Sequence, residues 1–379
     1  MKKKYDVAAY VWPAYTGDEP RARMFWSEGY GEWQTVKNAE ANALAYKPEW
    51  YETWKKRKPL WGYVNEANPD VMQMQIECAV NHGVNVFIYD WYWYDNRPFL
   101  ENCLNDGFLK ANNNDKMKFY IMWANHDADH TWDIRLSDER PGVIWRGTVD
   151  RKQFEIIGRR WIDRYFTKEN YYRIDGKPVI SVYYLRNFIV GLGGVKQAAD
   201  ALDWLRKEAI KAGFPGVHLQ LVRMPKHVNR LSDFYTDEMK NDVELIEKMG
   251  FDSMTHYTYR NCTNVDDRDY SDIIPDVVSE WNELDKEYHI PYYPHVCIGL
   301  DVNPRYKKFC QGAIKNDTPQ NFELALRHAK DYVDTHEQHA PLIVVNSWNE
   351  WTETSYLEPD ALNGYGYLEA VKKVFVDET

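Results

Sequence analysis

The chain has 379 residues, a formal net charge of −11 and an aromatic content of 15%. The excess of acidic side chains leaves no basic face for phosphates, which argues against a nucleic-acid partner or an anionic membrane surface. No apolar stretch approaches the roughly 20 residues that span a bilayer, and the opening "MKKKYDVAAYVW" lacks the apolar core of a signal peptide. We therefore expect a cytoplasmic chain without membrane insertion, or a periplasmic or secreted one if a leader has been removed.

Short runs rich in β-branched and aromatic residues alternate with helical patterns along the whole chain. The predicted strands are 5–12, 84–91, 117–125, 178–185, 216–223, 251–258, 292–299 and 341–348. The predicted helices are 70–82, 151–166, 195–212, 238–249, 272–288, 319–336 and 361–376. The spacings leave room for parallel crossovers, so the pattern predicts a single (β/α)8 TIM-type barrel over residues 1–379 with long βα loops. An open doubly wound sheet is the alternative, but no GxGxxG or P-loop follows a strand.

The cysteines are odd in number and lack CxxC spacing, which argues against a disulfide framework or a zinc knuckle. They are Cys78, Cys103, Cys262, Cys297 and Cys310. We expect most of them to be buried thiols.

Aromatic and polar residues gather where the predicted strands end, which is the face that carries the active site of a barrel enzyme. Indole and phenol rings stack on sugar rings while polar neighbours bind the hydroxyls, so these clusters favour a carbohydrate ligand. A large aromatic core is the alternative. We expect Trp12, Trp93 and Trp348 to contact ligand rather than core. The candidates for sugar binding at the strand ends are Tyr10, Trp12, Asp90, Tyr92, Trp93, Asn125, His126, His256, Tyr257, Trp348, Asn349 and Trp351.

Two glutamates in "NSWNEWTETSYLEPD" (346–360) are the best candidates for catalysis. Glycosidic cleavage needs one carboxylic acid to protonate the leaving oxygen and a second carboxylate as nucleophile or base. Glu350 and Glu353 are neighbours if the chain turns helically after the last strand, but they point to opposite faces if it stays extended. Asp90 is a second candidate, either as an auxiliary carboxylate, as an acceptor for a sugar hydroxyl or as a turn cap. The "NHDADH" segment (125–130) lacks a complete metal-ligand set, so no metal or cofactor is expected.

The sequence resembles the WbsX-like proteins, a group found in polysaccharide loci and related to glycoside hydrolase family 99. The resemblance is carried by "FWSEGYGEWQTVKNA", "GVNVFIYDWYWYDNRPFLE", "MWANHDADHTWD" and "NSWNEWTETSYLEPDALNGYGYLEA". The first block adds Trp33 to the candidates for sugar binding. The family resemblance implies a (β/α)8 barrel.

By motif position, similarity to family 99 implies that Glu350 is the base toward the substrate's own 2-hydroxyl and Glu353 the general acid/base, without a metal. This chain departs from related segments at Thr354, where glycine is usual. The sequence therefore favours a retaining glycoside hydrolase that acts on a polysaccharide or oligosaccharide. The alternatives are a glycosyltransferase in surface-polysaccharide assembly and a non-catalytic glycan-binding barrel.

Overall fold

The computed structural model describes residues 4–133, 135, 142–308 and 312–378, and Cys310 lies outside these described residues. Eight parallel strands form a nearly closed barrel. They are β1 (Asp6–Val11), β2 (Val86–Tyr94), β3 (Lys118–Trp123), β4 (Lys177–Val182), β5 (His218–Val222), β6 (Ser253–Thr255), β7 (His295–Cys297) and β8 (Leu342–Asn346). All eight predicted strands are confirmed, with ends shifted by a few residues.

Neighbouring strands pair in chain order around the barrel, and β8 returns to pair with β1 through Asp6 and Leu342. The ring closes between β6 and β7 through a bridge between Met254 and Tyr292. The strands are mostly apolar because helices cover the outside of the barrel while side chains fill its inside. In β2, "VFIYDWYWY", all nine residues are buried.

Helices occupy the outer layer. They are α1 (Trp33–Tyr46), α2 (Pro48–Trp54), α3 (Pro69–Asn81), α4 (Arg151–Trp161), α5 (Leu185–Leu192), α6 (Val195–Lys211), α7 (Lys226–Asn229), α8 (Asp242–Met249), α9 (Tyr270–Glu287), α10 (Pro319–Thr335) and α11 (Gly366–Lys372). The seven predicted helices are confirmed as α3, α4, α6 and α8 to α11, whereas α1, α2, α5 and the short α7 were missed. Both α1 and α2 belong to the long segment after β1, where the apolar periodicity is weak.

Local sequence explains where several helices begin. In α10 the Thr318 side chain accepts a hydrogen bond from the Asn321 amide, and Pro319 fills the first turn. In α8 the Asn241 side chain caps the Glu244 amide, so this helix begins at residue 242 rather than at the predicted 238. None of the helices in the described part of the chain has both the length and the apolar character needed to span a bilayer.

The described cysteines are free thiols. Cys103 and Cys297 are buried, while Cys78 and Cys262 are half-buried. Burial raises the pKa of the Cys78 and Cys297 thiols to about 12. These thiols are therefore poor nucleophiles near neutral pH.

Candidate active site

The segment after β8 folds back on itself and carries both candidate glutamates. Asn349 and Glu350 pair antiparallel with Tyr356 and Ser355, and a 3-10 turn covers residues 351–353 between them. Of the two alternatives considered from the sequence, the chain makes a helical turn between the two glutamates rather than staying extended. The turn presents Glu350 and Glu353 on the same wall of the barrel mouth.

Thr354 ends this turn in a left-handed conformation, with φ at 52°. That conformation favours glycine, and a β-branched side chain adopts it only under strain. This explains why glycine is usual at this point of related segments. The hairpin remains closed around Thr354 because the Ser347 hydroxyl donates to the Ser355 carbonyl at 2.6 Å and the Glu350 amide donates to Ser347 Oγ at 2.8 Å.

Arg305 binds both candidate glutamates. Its Nη1 donates to Glu353 Oε1 at 2.7 Å and its Nη2 donates to Glu350 Oε2 at 3.1 Å, while Nε donates to Thr352 Oγ1 at 2.8 Å. A third acid, Glu32, lies 3.8 Å from Nε and is fully buried behind the pair. Arg305 was missed by the sequence analysis because it lies in the loop after β7, 45 residues before Glu350.

Tyr257 lies between Asp90 and Glu350. Its hydroxyl oxygen is 3.0 Å from Asp90 Oδ2 and 2.9 Å from Glu350 Oε1. A phenol can donate its one hydrogen to only one of these carboxyls. The other carboxyl must then hold a proton of its own and donate it to the phenol oxygen. One of the two carboxyls, Asp90 or Glu350, is therefore protonated, in addition to the hydrogen of the Tyr257 phenol.

The electrostatics of the site agree with this proton count. Burial raises the pKa of Asp90 well above its ordinary value. Burial raises the pKa of Glu350 in the same way; the nearby Glu353 carboxylate raises it further, and Arg305 opposes the shift. Desolvation disfavours a charged carboxylate, so one acid of this group stays neutral where an exposed carboxyl would ionise.

The acids face a cavity of about 510 Å³ at the carboxyl ends of the strands. This volume suits a small ligand or a few sugar units. The wall opposite the acids is largely aromatic and apolar. Seven of the predicted residues line the cavity: Trp12, Asp90, Tyr92, His126, Tyr257, Glu350 and Glu353.

The other predicted residues are buried around the cavity and bind neighbouring protein groups. They are Tyr10, Trp33, Trp93, Asn125, His256, Trp348, Asn349 and Trp351. The expectation that Trp93 and Trp348 face ligand is not met by this placement: the Trp93 indole donates to Gln153 Oε1 at 3.2 Å, and Trp348 is fully buried with its indole donating to Gln75 Oε1 at 3.2 Å. Position at a strand end therefore did not distinguish core indoles from cavity indoles.

Two of these residues fasten strand ends together. The Asn349 side chain accepts from the Trp12 amide at 2.7 Å and donates to the Trp12 carbonyl at 2.9 Å. Asn125 makes the same pair of bonds with the backbone of Tyr184, at 2.7 and 2.9 Å. An amide side chain replaces the next backbone pair of the sheet in each case, so both asparagines stabilise the barrel mouth.

The remaining predicted residues have similar structural partners. The Trp33 indole donates to the Val64 carbonyl at 2.7 Å, and the Tyr10 hydroxyl donates to the His256 carbonyl at 3.2 Å. His256 Nδ1 lies 2.8 Å from the Tyr292 hydroxyl. The Trp351 indole donates to Glu358 Oε2 at 2.6 Å.

Several residues of the cavity wall were not among the predicted sugar contacts. They are Met122, Ala124, Thr131, Trp132, Tyr183, Tyr184, Met224, Pro225, His227, Val228, Thr258, Arg260, Asn261, Leu300, Val302 and Arg305. Tyr183 and Tyr184 follow β4 directly, so their position at a strand end is visible in the sequence. Trp132 comes from the loop after β3 and stacks on Phe99, with ring centroids 6.1 Å apart. Such loop residues carry no periodic signal.

The "NHDADH" segment is held by protein contacts. His126 Nδ1 lies 2.9 Å from the Asp127 carbonyl, and the Asp129 carboxylate accepts from the Thr131 amide at 2.9 Å. Asp127 accepts from the Gly147 amide at 2.8 Å. Within residues 4–133, 135, 142–308 and 312–378, no group of three or more His, Cys, Asp or Glu side chains is arranged to hold a metal ion.

A family model described as "Glycosyltransferase WbsX" matches residues 7–371. The chain belongs to the WbsX family. Relatives in two strains of Xanthomonas campestris pv. campestris, both named "Uncharacterized protein WxcX", are 24% identical over 373 residues, covering 93% of this chain and 47% of each relative. This WbsX-family chain thus spans about half the length of the curated relatives it matches.

Solved structures with the same barrel fold carry glycoside hydrolase names. A "Glycoside hydrolase-like protein" superposes with a TM-score of 0.60 at 13% identity, covering 99% of this chain and 94% of that one. The GH99 endo-alpha-mannosidase from Bacteroides thetaiotaomicron, in complex with BIS-TRIS-propane, superposes with a TM-score of 0.59 at 12% identity, covering 100% and 98%. At these identities the likeness establishes the fold of this WbsX-family member.

Proposed function

We propose that this WbsX-family chain is a retaining glycoside hydrolase acting on a polysaccharide or oligosaccharide. The observation that carries the proposal is the placement of Glu350 and Glu353 on one guanidinium at the end of β8, facing an aromatic-lined cavity. Glycosidic cleavage needs a pair of carboxyls, since one must give a proton while the other takes one. The aromatic wall supplies stacking surfaces for sugar rings.

Glu350 is proposed as the base and Glu353 as the general acid/base. A carboxyl whose pKa is raised by burial takes a proton more readily than an exposed one, which suits the role of Glu350. Glu353 Oε2 has no partner within the described structure and borders the cavity, so it is placed to reach a leaving oxygen. Arg305 must release Glu353 Oε1, or keep only one of its oxygens, when Glu353 carries the proton.

The same geometry bears on the stereochemistry. Inverting enzymes place their acids about 6.5–9.5 Å apart on opposite faces of the sugar, with a water between. Glu350 and Glu353 instead share one guanidinium on one wall, which disfavours both inversion and direct attack by a carboxylate opposite the acid. The resemblance to family 99 then implies that the substrate's 2-hydroxyl is the attacking group: Glu350 takes its proton as the C–O bond to the leaving group breaks and Glu353 protonates the leaving oxygen. Water then opens the 1,2-anhydro ring with a second inversion at the anomeric carbon: Glu353 takes the proton of the water, Glu350 returns a proton to O2, and the two inversions give overall retention.

The test is product analysis on a panel of purified bacterial, yeast and plant polysaccharides with wild type, Glu350→Gln and Glu353→Gln. Glu101→Gln is the matched control, because Glu101 is also a carboxylate bound to an arginine, Arg160, but lies outside the cavity. New reducing ends that appear with wild type and Glu101→Gln, and are lost in both cavity variants, support the proposal. Glycan affinity without turnover would instead identify a glycan-binding barrel.

A glycosyltransferase is the second candidate, favoured by the description of the matching family. A transferase must bind a sugar donor, commonly a nucleoside diphosphate sugar. The discriminating measurement is release of nucleoside diphosphate from UDP-, GDP- and dTDP-sugars in the presence of an oligosaccharide acceptor. Donor-dependent chain extension by the wild type, abolished by Glu350→Gln, would replace the hydrolase proposal.

A further inference from the structure

Behind the catalytic turn lies a second pair of carboxyls, Glu66 and Glu358, which the proposed chemistry does not use. Both are buried, with 0% and 3% of their surface exposed. Gln75 lies between them: its amide nitrogen donates to Glu66 Oε1 at 3.1 Å and to Glu358 Oε1 at 2.7 Å. We refer to Glu66, Gln75 and Glu358 as the buried triad.

The buried triad holds the residues that flank the proposed catalytic glutamates. Asn349, which precedes Glu350, donates to both oxygens of Glu66 at 3.1 and 3.0 Å. Trp351, which follows it, donates to Glu358 Oε2 at 2.6 Å, and Trp348 donates to the oxygen of Gln75 at 3.2 Å. The backbone that carries Glu350 is thus fixed on both sides by one polar cluster.

The two carboxyls of the triad are close neighbours, because the Oε1 atoms of Glu66 and Glu358 both accept from the same Gln75 nitrogen. Two buried carboxylates held this close repel each other, so their surroundings favour a state in which the pair holds one proton. Burial raises the pKa of Glu66 to about 7, and burial together with the charge of Glu66 raises that of Glu358 well above its ordinary value. The shared proton belongs to the pair rather than to either residue.

The surroundings supply no positive charge to the pair. Within the described ranges, the ion pairs formed by lysine, arginine and histidine involve neither Glu66 nor Glu358. The other titratable groups facing the pair are the Cys78 and Cys103 thiols and the Tyr15 and Tyr89 hydroxyls, all neutral around pH 7. Loss of the shared proton therefore leaves two adjacent buried anions, which repel each other.

We propose that the buried triad is a positioning unit that shares one proton between Glu66 and Glu358 and, through Asn349 and Trp351, orients the catalytic glutamates. As pH rises above neutrality the pair loses its proton, the two side chains separate, and the turn that carries Glu350 and Glu353 shifts. The effect on catalysis rests on the proposed function. The shared proton, and the hydrogen bonds from the Trp351 and Trp348 indoles to the buried triad, do not.

The first experiment does not need activity. Indole N–H resonances of Trp348 and Trp351 are followed by NMR from pH 5.5 to 9 in full-length protein labelled at tryptophan and assigned with Trp348→Phe and Trp351→Phe. Both resonances are expected to titrate together near neutral pH in wild type and to lose that step in Glu66→Gln, whose amide keeps the bonds to Asn349 and Gln75. The Trp91 indole, which donates to Glu101 at 2.7 Å, is the internal control and should not move with them. Absence of a common step in wild type would overturn the proposal.

The second experiment is the pH profile of kcat on the substrate found for wild type. Wild type is expected to lose about tenfold in kcat between pH 6.5 and pH 9, since a displacement near 1 Å costs one to two orders of magnitude. Glu66→Gln should lose about twofold or less over the same range, with KM unchanged, and Glu101→Gln should keep the wild-type profile. An unchanged alkaline fall in Glu66→Gln overturns the positioning role. A wild type inactive on every glycoside defeats the proposed hydrolase function, while the NMR titration still tests the triad.

Discussion

Replacing Arg305 by Met tests whether this arginine is the counter-ion of the catalytic acids. The change keeps the length and apolar stem of the side chain but removes the guanidinium. Side-chain exposure is 13% for Arg305, 4% for Glu350 and 13% for Glu353, so these ion pairs are mostly desolvated. Breaking a buried pair by removing one partner costs about 3–5 kcal/mol, and we expect a loss of that size in the free energy of unfolding at pH 8.

The loss should depend on pH in a defined direction. Arg305 lowers the pKa of Glu350, so without Arg305 the folded-state pKa of Glu350, already above the ordinary 4.5, should rise further. A raised carboxyl pKa means that the folded state holds protons that the unfolded state has lost, so stability falls as pH rises from 4.5 through the raised pKa. The deficit of Arg305→Met relative to wild type should be largest at pH 8 and shrink progressively toward pH 5.

Urea unfolding at pH 8, 6.5 and 5 measures this deficit, and Arg57→Met is the matched control. Arg57 binds Asp317 at 3.0 Å with side-chain exposures of 12% and 16%, and it lies outside the cavity. Both variants should lose stability at pH 8, but only Arg305→Met should also lose kcat, by about 100-fold, because its carboxyls are no longer held in place. A wild-type unfolding midpoint for Arg305→Met at pH 8, or a deficit that does not shrink on acidification, would refute the assignment.

Four further outcomes follow from the site. Glu353→Gln should lower kcat about 10²- to 10⁴-fold on glycosides with poor leaving groups but spare dinitrophenyl glycosides, and equal loss on both would remove Glu353 as the acid. A 2-deoxy substrate should bind yet turn over far more slowly, and Glu350→Gln should show the same defect on the normal substrate. Proton NMR of the first product should show the retained anomer, and an inverted anomer would exclude the mechanism. Trp348→Ala should cost about 3–5 kcal/mol in urea unfolding, because this indole is fully buried, and a small loss would return it to ligand binding. Activity should survive exhaustive chelation, and a loss restored by one divalent ion would reopen the "NHDADH" segment as a metal site.

The barrel was predictable from the sequence because its signal is local. Strands that are buried on both faces are mostly apolar. A run such as "PLIVV" before Glu350 can therefore be recognised as a strand from its own residues, without knowing which strands it pairs with. The boundaries shifted where a cap decided them, as at Asn241 in α8. The helices α1 and α2 were not predicted because they lack a clear apolar stripe. They are stabilised by packing against each other and against the loop after β7.

That Glu350 and Glu353 lie close together was also predictable, since both belong to one short segment of the sequence. The sequence did not decide whether the chain turns or stays extended after β8. The hairpin there is closed by Ser347, Ser355 and the left-handed Thr354 together. From their positions at strand ends, the sequence analysis expected both Trp12 and Trp348 to contact ligand. Packing separated them, with Trp12 on the cavity wall and Trp348 behind it on Gln75.

Only the tertiary structure revealed the partners of the acids. Arg305 lies 45 residues from Glu350, and Glu66 lies 283 residues from Asn349. Closure of the barrel brings the loops after β1, β7 and β8 to the same mouth, where Arg305 pairs with Glu350 and Asn349 donates to Glu66. Side chains on the same strand or turn are separated by a characteristic number of residues, which can be recognised in the sequence. Side chains that meet only because the sheet closes have no such regular spacing.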